Sequence, residues 1–186
     1  MYYARYIYPS PYYFYAPMYN DARQPMYWPF PYGAVPVNRF DLPRSSETNA
    51  NTDLKDYGKT PFVININEAA KQNRTFRTAV WTGTHLQVTL MSINVGEDIG
   101  LEVHPAVDQF LRIEEGQGIV RMGETKDSLN YERPVTDDTA IMIPAGTWHN
   151  IINTGNTPLK LYSIYAPPQH PFGTVHTTKA DAMAAE

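Results

Sequence analysis

Two stretches decide how this chain is read: Gly96–Gly116, GEDIGLEVHPAVDQFLRIEEG, and Pro144–Asn153, PAGTWHNIIN. Each sets polar, metal-capable side chains into an otherwise apolar, strand-like pattern. Glu102 and His104 are two residues apart, so on an extended strand both point to the same face. A Pro-containing turn follows, after which Gln109, Leu111 and Ile113 share one face of the next predicted strand. His149 comes much later, just after the Pro144–Gly146 turn. Such separation suits strands that meet only when a sheet curls into a barrel or sandwich.

The surrounding sequence carries the same signal. From Phe76 onward short apolar or β-branched runs alternate with Gly or Pro turns. HLQVTLMSI (85–93) leads to the Gly96 turn, LEVH (101–104) follows, and QFLRIEEG (109–116) turns into GIVRMG (118–123) as a predicted hairpin. ETKDSLNYERP (124–134) reads as a polar surface loop. TAIMIP, WHNIIN and LKLYSIYAPP supply three further strands, and the chain closes on HPFGTVHTTKADAMAAE with a short Ala-rich helix. Ahead of these, PFVININ (61–67) reads as a strand, and Asn67 is expected to cap a helix over 68–72. The fold class expected is all-β, in a domain running from about residue 60 to 186, with no internal repeat.

Residues 1–44 differ in composition. Ten of the 14 Tyr lie before Gly33 and eight of the 16 Pro before Arg44. Frequent Pro excludes regular helix, and few aliphatic side chains remain for a core. Two readings stand: a surface-draped or disordered tail, or an adhesive segment whose rings make assembly contacts. Residues 45–59 are polar and read as a linker.

Net charge is −4 and pI about 5.7, so no basic face suggests a nucleic-acid partner. Cysteine is absent, which excludes disulfides, thiolate metal sites and a thiol nucleophile. The sequence has no apolar run of the roughly 18 residues that membrane insertion needs. It also has no unbroken apolar stretch of signal-peptide type near its start. No Ser-His-Asp set, phosphate-cradling glycine loop or zinc-protease helix is evident.

These motifs resemble those of the cupin family. The usual first cupin motif is Gly, five residues, His-x-His, three or four residues, Glu, six residues, Gly. Gly96, His104 and Gly116 match it, with Glu102 at the first His position and Gln109 at the Glu position. Pro144, Gly146, His149 and Asn153 match the second motif in full, and Asp138 stands at its leading Gly. The resemblance implies a single double-stranded β-helix (jelly-roll) barrel. It also implies one divalent metal ion (Mn, Fe, Ni or Zn) held by Glu102, His104, Gln109 and His149. The carboxylate has moved to the first position and a neutral amide takes its place at the third. Such a centre leaves room for a small-molecule substrate or ligand. Against it, Glu102 could instead pair with Arg112 or Arg121.

Small cupins usually pair, so a homodimer is expected, with 61–66 as the segment crossing between protomers. Two functions of different class follow. One is a metal-dependent enzyme on a small polar or sugar-like substrate, with isomerase-like or dioxygenase-like chemistry, which fits a cytoplasmic location. The other is a non-catalytic binding cupin with a structural role. Its Tyr/Pro-rich tail resembles those of spore-coat proteins. Among other candidates, Asp108 is expected at a turn or rim. Trp148 and Asn150 should face away from His149, and His85 is read as structural. His170 and His176 are placed on a surface loop in preference to the barrel mouth. Tyr162 and Tyr165 alternate so that one Tyr face lines the interior, and Arg112 points outward.

Overall fold

The computed structural model describes residues 53–185; the tail expected over 1–44 lies outside them. Among the described residues nine strands form two antiparallel sheets. The larger runs β6 (Ala140–Ile143), β3 (Asp108–Glu115), β8 (Leu159–Ala166), β2 (Gln87–Ile93), β1 (Arg77–Thr82), β9 (Val175–His176). The smaller runs β5 (Tyr131–Thr136), β4 (Gln117–Gly123), β7 (Trp148–Asn153). Two helices, α1 (Ile66–Gln72) and α2 (Lys179–Ala185), complete the described residues. This is the expected jelly-roll.

β1 and β2 are buried along most of their length, on their outward positions as well as their inward ones. Val80 and Leu90 face outward beneath Ala69 and Ala70 of α1. Met91, Leu111, Ile113, Ile151 and Leu161 face inward into the main core, each at most 1% exposed. Truncating any of these to Ala would cost about 2–5 kcal/mol through lost burial and cavity formation.

Several sequence expectations are corrected. β3 and β4 are not a hairpin: β3 pairs with β6 and β8, whereas β4 pairs with β5 and β7. Gly116 is therefore a corner between sheets. Its φ of +92° suits glycine, and an added Cβ would sit 3.1 Å from the Pro158 carbonyl oxygen and from Leu159 Cα. The polar excursion narrows to 124–130, because β5 takes up the rest as an exposed strand.

PFVININ is not a strand. Asn65, rather than Asn67, caps α1, its Oδ1 accepting from Glu68 N at 3.3 Å. Asn67 lies inside the helix and donates to Glu114 instead. The described part of the polar stretch before residue 60 is held against the barrel. Tyr57 N donates to Val80 O, and Asp56 Oδ2 accepts from Thr82 Oγ1 and Gly173 N. Locally unremarkable polar residues thus find partners that only the folded chain supplies.

Candidate metal centre

The first ligand segment is not a regular strand. Gly96–His104 runs beside β7 and breaks at Gly100, so that only Asp98↔Ile152 and Glu102↔His149 remain as bridges. Backbone pairing still holds its register. Ile99 N donates to Ile151 O at 3.0 Å, and Gly146 N donates to His104 O at 2.9 Å. Glu102 and His104 consequently keep the common facing that a strand would give them.

Glu102, His104 and His149 converge, with one ligand atom from each lying within 4.8 Å of the others. Glu102 Oε1 is 3.5 Å from His104 Nε2 and 3.2 Å from His149 Nε2. All three are buried. His149 Nδ1 lies 2.9 Å from the Thr147 carbonyl oxygen, which can only accept. Nδ1 therefore carries a proton, and Nε2 is the nitrogen turned toward Glu102. A carboxylate oxygen and a ring nitrogen at that separation can share either a proton or a metal ion.

Burial would push the Glu102 carboxyl up. The imidazoles of His104 and His149, together with Arg77, outweigh this and hold it at about 2. The carboxylate is thus ionised at any ordinary pH.

The residues fit a metal ion. Glu102 Oε2, His104 Nε2 and Gln109 Oε1 are buried without a hydrogen-bond partner in the structure, a costly arrangement in a sealed apolar core. Gln109 faces the interior from β3, with its Nε2 donating to Ser163 Oγ at 3.0 Å. That tie leaves the amide oxygen as its free end. Two imidazoles, one carboxylate and an amide oxygen suit a borderline divalent ion.

Comparison with known proteins bears on the fold. A family model described as "Cupin domain" matches residues 89–165. The chain is 68% identical to YrkC of Bacillus subtilis (strain 168) over 175 residues, 94% of each chain. The chain belongs to the cupin family. Protein L612 of Acanthamoeba polyphaga mimivirus is 44% identical over 115 residues, covering 61% of this cupin and 70% of that protein. A crystal structure from Bacillus halodurans, 69% identical, superposes with a TM-score of 0.69 and covers 70% of this chain and 98% of that one.

Other candidates in this cupin now have places. Glu102 does not pair with Arg112, which points outward to Glu114 and Asp138, nor with Arg121, which pairs with Glu132. Its guanidinium neighbour is Arg77 on β1, fully buried and 3.8 Å from Glu102 Oε2. Sequence reasoning missed Arg77. The one local signal is a charged residue within an apolar run, which does not say which sheet face it takes.

Tyr165 faces inward with its ring 5.6 Å from that of His104, whereas Tyr162 packs outward against Phe110. His170 is not on an open loop. Its ring lies edge-on to Tyr165 at 5.1 Å, and Gln87 clamps its backbone on both sides. Burial, then the Arg77 charge, pushes its imidazole down to about 3. His176 lies beside it at 6.4 Å, on β9. His85 is exposed in a turn, and Asp108 sits at the rim, accepting from Ala145 N.

The second motif also has structural members. Asn153 donates to Ile93 O and Thr157 O and accepts from Gly155 N, closing the turn after β7. Asp138 adopts φ +67°, the left-handed conformation its glycine counterpart would take freely.

Proposed function

We propose that this cupin binds one divalent metal ion through Glu102, His104 and His149, with Gln109 as a further oxygen donor, and acts as a metal-dependent enzyme on a small polar substrate. The observation behind this reading is the buried convergence of three acceptor groups around one point, with His149 locked in the ligating tautomer. A bound ion there supplies Lewis acidity, able to polarise a carbonyl or lower the pKa of water.

The chain's own residues divide the remaining work. Thr147 O orients the His149 ring, and the bridge to His149 positions Glu102. Tyr165 and His170 border the interior beside His104 and supply hydroxyl and imidazole groups for proton transfer or substrate contact. Isomerase-like and dioxygenase-like reactions both fit such a centre. Metal binding is tested by the melting temperature of chelator-treated protein titrated with Mn(II), Fe(II), Ni(II) and Zn(II). At 100 times Kd, a single site stabilises by about 2.7 kcal/mol. No shift with any of the four contradicts the reading.

A second reading rests on the N-terminal composition, with ten Tyr before Gly33. In it the barrel binds metal or ligand without turnover, and the aromatic segment attaches it to a spore-type or surface assembly. Deleting residues 1–44 separates the two. An enzyme keeps its turnover, whereas a coat component loses its location.

We also infer a homodimer. The outer face of the larger sheet carries an apolar groove lined by Phe62, Ile64, Trp81, Val88 and Ile164, and neighbouring Val63 is 96% exposed. Light scattering on the purified chain tests it. A monomer that persists at tens of micromolar sinks the idea.

A further inference from the structure

The converging side chains are closed off from solvent. Glu102 Oε2, His104 Nε2 and Gln109 Oε1 are buried, and His149 is fully so. Anything that enters or leaves this interior needs an enclosing segment to move.

Most of the enclosure is strand, held by the ladders that join β1, β2, β8 and β3. Pro167–Gly173, which leaves β8 after Ala166, is held differently. It is exposed at Pro167, Gln169 and from Pro171 to Gly173, yet it sends the His170 ring inward. That ring lies edge-on to the buried Tyr165 at 5.1 Å, and the other side of Tyr165 faces His104 at 5.6 Å. His170 thus stops the interior at this end as a peg stops a hole.

Two side chains hold the strap. Gln87, buried on β2, accepts from His170 N and donates to His170 O, both at 2.9 Å. Asp56 Oδ2 accepts from Gly173 N at 2.9 Å. The two ties form one network, because Thr82 Oγ1 accepts from Gln87 Nε2 and donates to Asp56 Oδ2. Prolines at 167, 168 and 171 have no N–H to give a ladder. Lifting the strap therefore breaks these three hydrogen bonds and one ring contact, whereas parting a strand opens the barrel itself.

We propose that Pro167–Gly173 is a gate over the interior, which lifts as a unit to withdraw His170 from Tyr165 and is latched shut by Gln87 and Asp56. That the interior it closes holds a metal ion rests on the reading above; the closure does not.

The test uses the metal-free full chain and diethyl pyrocarbonate, which modifies accessible imidazoles, with sites assigned by mass spectrometry. His85, exposed in a turn, is the internal reference. In the native protein His104 should react about tenfold or more slowly than His85, and Asp56→Ala and Gln87→Ala should each quicken His104 about fivefold. Amide exchange is followed by NMR, relative to Leu161 on β8 so that global opening cancels. Asp56→Ala should speed exchange at His170 N, which Asp56 does not bond, and Gln87→Ala should speed it at Gly173 N. Asp56 lies nearer the surface, so its variant carries the test should Gln87→Ala fail to fold.

His104 reacting as fast as His85 in the native protein overturns the closure. A variant that loosens only the amide it bonds shows two separate ties and overturns the gate. Faster strap exchange with an unchanged His104 rate places the entrance elsewhere and overturns it too. Metal is read separately by cobalt uptake: failure there removes the metal reading and leaves the gate, which the metal-free chain tests alone.

Discussion

Glu102 and His149 exchange both hydrogen bonds of a lone antiparallel bridge, N to O at 3.0 and 2.9 Å, while Oε1 and Nε2 of the same two residues lie 3.2 Å apart. Two candidate ligands far apart in sequence are thereby brought together by their own backbones. Glu102→Gln keeps the bridge and removes the charge. Metal affinity should fall by at least a hundredfold in calorimetric titration. The metal-free variant should also be less stable in urea unfolding, because the buried Arg77 guanidinium loses the carboxylate charge 3.8 Å away. Unchanged metal affinity would remove Glu102 from the ligand set.

Gln109→Glu exchanges an amide for a second carboxylate. Its present Nε2 bond to Ser163 Oγ can be replaced by the serine hydroxyl donating in return. Metal binding should survive. Metal loss in this variant would contradict the coordination scheme.

His170 makes acid stability predictable in sign. Arg77, Glu102, His104, Tyr165 and His176 surround it, and the folded protein keeps the ring neutral down to about 3, against an ordinary 6.5. The unfolded chain therefore takes up the proton first as pH falls. The stability contributed by the neutral ring is complete above about pH 6.5 and is lost progressively toward 3. Metal-free protein should lose about 1 kcal/mol between pH 6 and 5, and His170→Asn should flatten that slope. Glu102 does not interfere: held at about 2 against an ordinary 4.5, it loses its contribution only below about 4.5. Equal slopes for the two proteins would show that the ring is not held neutral.

Asp138 sits at φ +67° with its carboxylate on Arg112, which also binds Glu114. Asp138→Gly relieves about 1 kcal/mol of backbone strain and gives up an exposed ion pair worth a similar amount or less, so stability should change by under about 1 kcal/mol. Asp138→Val should cost about 2 kcal/mol, since a branched side chain resists that conformation. Chemical denaturation of the two variants checks the ordering.

The barrel, most of its strands and the convergence of Glu102, His104 and His149 were legible because they rest on local pattern and on fixed spacing around Gly96, His104, Pro144 and His149. The misread features depend on non-local pairing. Nothing in Glu115–Gly116 distinguishes a hairpin from a crossing between sheets, because the difference lies in where β8 and β7 dock. Arg77 was invisible because β1 is covered on both faces, which erases the alternation that would reveal its direction. His170 sits in a turn-rich segment, and only Gln87, 83 residues away in sequence, draws it onto the barrel.

The central claim is that Glu102, His104 and His149 hold a metal ion. Elemental analysis tests it most directly, on untagged protein purified without chelator beside a His104→Ala/His149→Ala variant. The account predicts one divalent ion per chain in the native protein and none in the variant. No metal in the native protein even after incubation with Fe(II), Mn(II), Ni(II) or Zn(II), or equal metal in both proteins, would contradict it.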